Sequence, residues 1–359
     1  EVAYESLGHA SRLRLHEQVA QWLESGQPER CAQRARALAH HWAQAERPDR
    51  ACPYLRLAAE QAAASYATHE ALAGFTQVLA WLPAADTGSR IDVLLRREAL
   101  LDLLGRHDER RRDLAELDAL AARIDDAGQA ARLRQRLALR RASLELDAGD
   151  FTAAAAGARA ALGPQDDIPR AGASEPVQDV EALLLLARVL FAGGQAELAR
   201  QPLDRAQALA HQQGLADQEA NALMQLGLVE WQLGHYDAAE ALLQSALPAI
   251  QNSGALRKEL DLLNNLGVVA KSRARFAEAV ARYEQAQAIA RRIGDRSGEA
   301  MLLNNMGSAS LAAGDFYRAA QDTERAARIW AALNEPGQLG AAWVNRAEAH
   351  RELGQYTLA

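Results

Sequence analysis

Cysteine, lysine and aromatic side chains are scarce in this chain, and each shortage removes a class of protein. Two cysteines in 359 residues, Cys31 and Cys52, build neither a disulfide framework nor a metal-ligand spacing. That usage predicts a reduced, cytoplasmic setting. Lys258 and Lys271 are the only lysines, and a formal charge of −7 gives no general attraction to nucleic-acid phosphates. The arginine run Arg110, Arg111 and Arg112 reads as solvated helix face. Aromatics make up 5% of the chain, so a core has to come from close helix contacts instead of bulky side chains. No apolar run reaches the roughly 18 residues of a membrane span, and no cationic, apolar, small-residue leader is visible. The chain starts at Glu1 and stops at Ala359 within a helical pattern, from which a piece of a larger protein is expected.

The signatures of catalysis are missing as well. There is no glycine-rich turn ending in Gly-Lys-Ser/Thr, no His-Glu-x-x-His, no Cys-x-x-Cys and no Gly-x-Ser-x-Gly. Adjacent His40 and His41 point about 100° apart on a helix, which reads as one packed and one exposed ring instead of a metal site. The carboxylate pairs Asp125/Asp126 and Asp166/Asp167 lie near turns, where they cap helices. This chain is therefore expected to be no enzyme and to hold no cofactor.

What is abundant is helix-forming: alanine, leucine, arginine, glutamate and glutamine dominate. A fixed period is then sought first, because a missed repeat misassigns a whole fold. Gly227, Gly267 and Gly307 stand forty residues apart, with Ala187 and Ala347 continuing the series. Aromatics keep the same step at Tyr236, Phe276, Phe316 and Tyr356, and alanines at Ala239, Ala279, Ala319 and Ala359 and at Ala206, Ala246, Ala286 and Ala326. Glycine inside a helix costs about 1 kcal/mol relative to alanine, so this glycine column needs a packing reason: two antiparallel helices crossing closely. The aromatics would plug the opening between them. Gly214, Gly254, Gly294 and then Asn334 follow helical stretches, where a left-handed residue ends a helix and asparagine substitutes for glycine.

These columns resemble the tetratricopeptide repeat. Leu226, Gly227, Gly234, Tyr236, Ala239 and Ala246 match its pattern in one repeat, and Met306, Gly307, Gly314, Phe316, Ala319 and Ala326 in another. Two departures are a period of forty instead of 34 and Ala274 where the turn glycine would stand. The expected fold is all-α, a superhelical solenoid of antiparallel helix pairs with a period of about 40 in the C-terminal half. The regular array is expected over 179–359 with a truncated last repeat, an enlarged interrepeat loop over 163–178, and divergent repeats over 86–162.

Residues 1–85 carry a second resemblance. Val2, Ala3, Tyr4, Glu5 and Ser6, with Leu15 and His16 further on, look like the junction after the winged-helix part of bacterial STAND-type ATPases. Such modules sit in multidomain adenylate cyclases, serine/threonine kinases and transcriptional activators. The resemblance implies a sensor or scaffold module in a cytoplasmic signalling protein, or alternatively a solenoid that regulates an attached ATPase, kinase, cyclase or DNA-binding domain. A nucleic-acid-binding solenoid is less favoured by the acidic balance.

The repeat register also isolates an amide column. Gln225, Asn265, Asn305 and Asn345 lie two residues before the glycine-column position, and Asn264 and Asn304 stand beside two of them. An amide both donates and accepts, as a peptide backbone requires. The first helices of stacked repeats line the concave face, and the repeat resemblance implies that such asparagines hold an extended peptide there. Lys271 and Arg351 could add charge for an acidic ligand group. The alternative is that the amides satisfy buried backbone groups or bridge neighbouring helices. A protein or peptide on the concave face is the expected partner, with possible self-association and neither nucleic acid nor membrane.

Overall fold

The computed structural model describes residues 8–26, 30–65, 67–162 and 176–355, and among them it contains seventeen α-helices and no strand. The chain divides into two compact units, residues 1–144 and 145–359. No helix among the described residues is long and apolar enough to cross a membrane.

The first unit holds α1 (His9–Gly26), α2 (Ala35–Gln44), α3 (Pro48–Ala64), α4 (Thr68–Trp81), α5 (Thr87–Leu103), α6 (His107–Ala121) and most of α7 (Ala127–Asp147). Consecutive helices from α1 to α6 pack on one another. Phe75, Leu94, Leu101, Leu114, Leu117 and Leu137 fill the main core, and Trp42 with Ala20 and Ala51 forms a smaller one. Asp86 and Asp126 cap α5 and α7 by accepting from the backbone N–H of Ser89 and Gln129, as carboxylates at helix starts do. Asp166 and Asp167, expected in the same role, lie outside the described residues.

Charge is buried in this unit, which corrects the reading of Arg110 as solvated face. Arg110 is 2% exposed; its Nε donates to Glu98 Oε1 at 2.6 Å, a second nitrogen meets Asp102 Oδ1 at 2.6 Å, and a third donates to the carbonyl of Arg140. Glu98 is fully buried and also pairs with Arg140. Buried Asp113 accepts from Arg97 Nε at 2.8 Å; burial pushes its carboxyl up, and the Arg97 guanidinium opposes the shift. A buried carboxylate demands such partners, and only Arg110 of the run meets that demand. Arg111 stays exposed.

The second unit is a regular stack: α8 (Phe151–Leu162), α9 (Pro176–Ala192), α10 (Ala196–Gln212), α11 (Ala216–Gln232), α12 (Tyr236–Ser253), α13 (Leu256–Ser272), α14 (Phe276–Ile293), α15 (Arg296–Ala312), α16 (Phe316–Leu333) and α17 (Pro336–Glu352). Each helix packs on the next in the chain. Pro176 opens α9, so the last three residues of the segment expected as loop are helical, and residues 163–175 lie outside the described ones.

The columns have the packing reasons their period predicts. A Cβ built on Gly227 would stand 2.7 Å from Leu243, one on Gly267 2.5 Å from Tyr283, and one on Gly307 2.5 Å from Thr323. The three opposing side chains are themselves forty residues apart, so the glycine column is one half of a repeated contact. Ala239, Ala279 and Ala319 are fully buried along the second helices, as are Ala246, Ala286 and Ala326. Tyr236, Phe276 and Phe316 each begin a second helix and are half-buried, while Tyr356 and Ala359 lie outside the described residues. The cap column is left-handed as expected, with Asn334 at φ 58° beside Gly254 at 68°. At the other turn, Ala274 is forced to φ 57° where equivalent Gly234 and Gly314 stand at 83° and 82°. An L-residue in that region costs roughly 1–2 kcal/mol.

Candidate partner-binding face

The amides lie on α11, α13, α15 and α17, the first helices of successive pairs, and all are half-buried. The packed side of α13 takes Leu260, Leu263, Leu266 and Gly267 into the core, which leaves Asn264 and Asn265 beside that stripe. The structure joins these residues across repeats. Asn305 Nδ2 donates to Asn264 Oδ1 at 2.9 Å, and Asn345 Nδ2 donates to Asn304 Oδ1 at 2.9 Å. Asn264, read as a local neighbour of the column, is therefore the acceptor of a rung, and the expectation that amides bridge neighbouring helices describes these two pairs.

The rungs step by 41 residues across a 40-residue repeat, so each needs an asparagine one place ahead of the amide column in one helix and one in the column itself in the next. The same step from Asn265 reaches Met224, which offers no amide. Asn265 consequently makes no hydrogen bond to another described residue and keeps its whole amide for something else. Gln225 would reach Leu184 and instead donates to Asn221 Oδ1, one turn back, at 3.3 Å. Each paired amide also retains unused capacity, since the donor's Oδ1 and the acceptor's Nδ2 are not engaged by the rung.

Two further bridges run between first helices. Lys271 Nζ donates to Ser308 Oγ at 3.1 Å and Trp231 Nε1 to Ser272 Oγ at 2.8 Å. Serine does not neutralise Lys271, so a positive charge remains beside the amides. Arg351 differs: its guanidinium lies against Glu352 at 2.9 Å and Glu348 at 3.6 Å on its own helix, which compensates the charge offered to a ligand. At the start of the array, Gln225 and Arg188 line an apolar cavity of about 340 Å³ with Phe191, Leu203 and Leu228. Arg188 has no ion-pair partner among the described residues. Neither the cavity nor Arg188 was legible in the sequence, because helix packing and not spacing brings Arg188, Leu203 and Leu228 together.

Carboxylates around this face are set by their neighbours. On the second helix of the first of these pairs, Arg275 and Arg273 hold the Glu240 carboxyl below its ordinary range. On α13 burial raises that of Asp261, with Arg257 opposing.

A stack of helix pairs with this contact pattern is a repeat solenoid. Residues 179–252 match the family model described as tetratricopeptide repeat, and the second unit continues the same forty-residue helix-pair pattern. No curated protein sequence matches the chain. Among solved structures, BtubC (BKLC) from P. vanneervenii is 24% identical with a TM-score of 0.52, covering 62% of this chain and 92% of that one. A Rap protein complexed with competence and sporulation factor is 14% identical with a TM-score of 0.59, covering 86% and 88%. A signal transduction ATPase with numerous domains carrying a tetratricopeptide repeat sensor, from Pyrococcus horikoshii, is 12% identical with a TM-score of 0.62. That alignment covers 97% of this chain and 52% of the other, so this chain spans about half the ATPase's length. These likenesses establish a fold. Of the residues that suggested a STAND-like start, Val2 to Ser6 lie outside the described residues, Leu15 is exposed and His16 is buried.

Proposed function

We propose that the second unit binds an extended peptide or protein segment along its first helices, and that it serves as a sensor or scaffold module within a cytoplasmic bacterial signalling protein. The observation that carries this reading is the amide ladder with an unpaired member. Asn265 is half-buried, has no partner among the described residues, and lies next to rungs whose remaining donors and acceptors suit a peptide backbone. First helices of stacked repeats form the concave side of a superhelix, which gives an extended segment a continuous track. The apolar cavity at Gln225 accommodates one of its side chains, with Lys271 and Arg188 favouring an acidic character. The Rap protein's complex with its factor and the ATPase's repeat sensor support the kind of partner, a peptide or protein.

The test begins with peptides selected from a displayed random library on the native chain. Affinity of a selected peptide is then measured by fluorescence polarisation for the native chain and for Asn265→Ala, which leaves both rungs intact. At least a tenfold loss is expected, with an unchanged melting temperature. Equal affinity in the variant would remove the amide column from recognition.

A further inference from the structure

Three histidines converge away from this face, in the first unit. His16 comes from α1, and His40 and His41 from α2; one ligand nitrogen of each lies within 4.8 Å of the other two. His16 Nδ1 and His41 Nδ1 are 2.9 Å apart, and the three ring centroids are separated by 5.1 Å, 5.3 Å and 5.9 Å. Adjacent histidines leave a helix about 100° apart, which is why the pair alone reads as packing, yet here the two rings turn toward one another with centroids 5.3 Å apart. A third ring from the opposite helix changes the geometry, because it stands within reach of both.

We infer that His16, His40 and His41 form a binding site for a single borderline divalent ion of the zinc type, which pins α1 against α2. Three imidazole nitrogens without a carboxylate among them select zinc, cobalt, nickel or copper over the oxygen-seeking magnesium and calcium. Zinc–nitrogen bonds of about 2.0–2.1 Å place tetrahedral ligands about 3.3 Å apart, so the His16–His41 pair needs to open by roughly 0.4 Å. The closest contact now requires one Nδ1 to donate and the other to accept. Ion binding needs both lone pairs inward, so the donating ring moves its proton to Nε2. Burial disfavours the charged form of His16 and His41, and neighbouring imidazoles add to this, His40 for the first and His16 then His40 for the second. Exposure of His40 supplies the route of entry, and three protein ligands leave a fourth position for water. A third of the nine histidines in the chain meet at this one place.

The test uses the full chain, expressed without a histidine tag, titrated with cobalt chloride and followed by the visible absorption of tetrahedral Co²⁺. One ion per chain is expected, displaced by zinc, with zinc raising the thermal midpoint of the native protein. His40→Ala removes an exposed ring and so leaves the fold intact; it should weaken cobalt binding at least tenfold and abolish the thermal shift. His16→Ala is expected to do the same and to lower the ion-free midpoint as well. Absence of a cobalt band in the native chain, or a band of equal affinity in His40→Ala, would overturn the site.

Discussion

The two units bury helix faces with few aromatics, and a contact repeated every forty residues in one contrasts with a fully buried arginine network in the other. In the second, glycine and alanine let helices approach until Leu243, Tyr283 and Thr323 rest on a bare backbone. In the first, Glu98, Arg110 and Asp113 are buried and held by ion pairs. Close approach of small residues depends on shape and tolerates little added volume. A buried ion network depends on completeness, since each member offsets the desolvation of the others. The periodic unit should therefore fail by overpacking and the aperiodic one by loss of a partner.

The largest contrast comes from Arg110→Ala, which takes one of two arginine partners from fully buried Glu98 and leaves exposed Asp102 without its own. It should destabilise the first unit by about 3–5 kcal/mol, read as lost hydrogen-exchange protection in α5 and α6 with α13 to α16 unaffected. Equal loss in both units would contradict the separation. Next is Gly267→Ala, whose methyl meets the Tyr283 ring: overpacking of about 1–3 kcal/mol outweighs the gain in helix propensity, and urea denaturation should show the loss in the second unit. Adding Tyr283→Leu to that variant ought to restore part of it. Smaller and of opposite sign is Ala274→Gly, which relieves the left-handed alanine and should stabilise by about 1 kcal/mol; a lower denaturation midpoint would show that Ala274 is not strained.

The smallest effect is electrostatic. Arg275, then Arg273, depress the Glu240 carboxyl below its ordinary 4.5 in the folded chain. The stabilisation is therefore present above about pH 4.5 and disappears as pH falls through the lower folded value. Glu240→Gln should reduce stability at pH 7, by about 1 kcal/mol for a partly exposed network, and make no difference at the acid end. A pH-independent difference between the two proteins would refute this assignment.

Legibility in the sequence follows the same division. Gly227, Gly267 and Gly307 announced close helix crossings because a costly residue recurred at one place in a fixed period. Asn334 gave away its left-handed turn by replacing glycine in a column. Arg110 could not be separated from Arg111 and Arg112, since nothing local distinguishes an arginine that meets Glu98 from one that meets water. Asn264 was read only as a neighbour of the amide column for a related reason: its partner, Asn305, belongs to the next column of the following repeat, and a search for identical positions never compares the two. His16 was invisible beside His40 and His41 because helix packing, not spacing, brings it there.

The one-residue lead of each rung over the repeat also sets rules for lengthening the array. Copying residues 296–335 in tandem would carry an Asn-Asn pair into the new repeat and keep every rung, since each inserted pair both accepts and donates. Excising residues 256–295 would instead set Met224 against Asn305 and delete a rung. Duplicating a repeat with an Asn-Asn pair adds a rung and excising one removes a rung, and Met224 marks where the ladder stops.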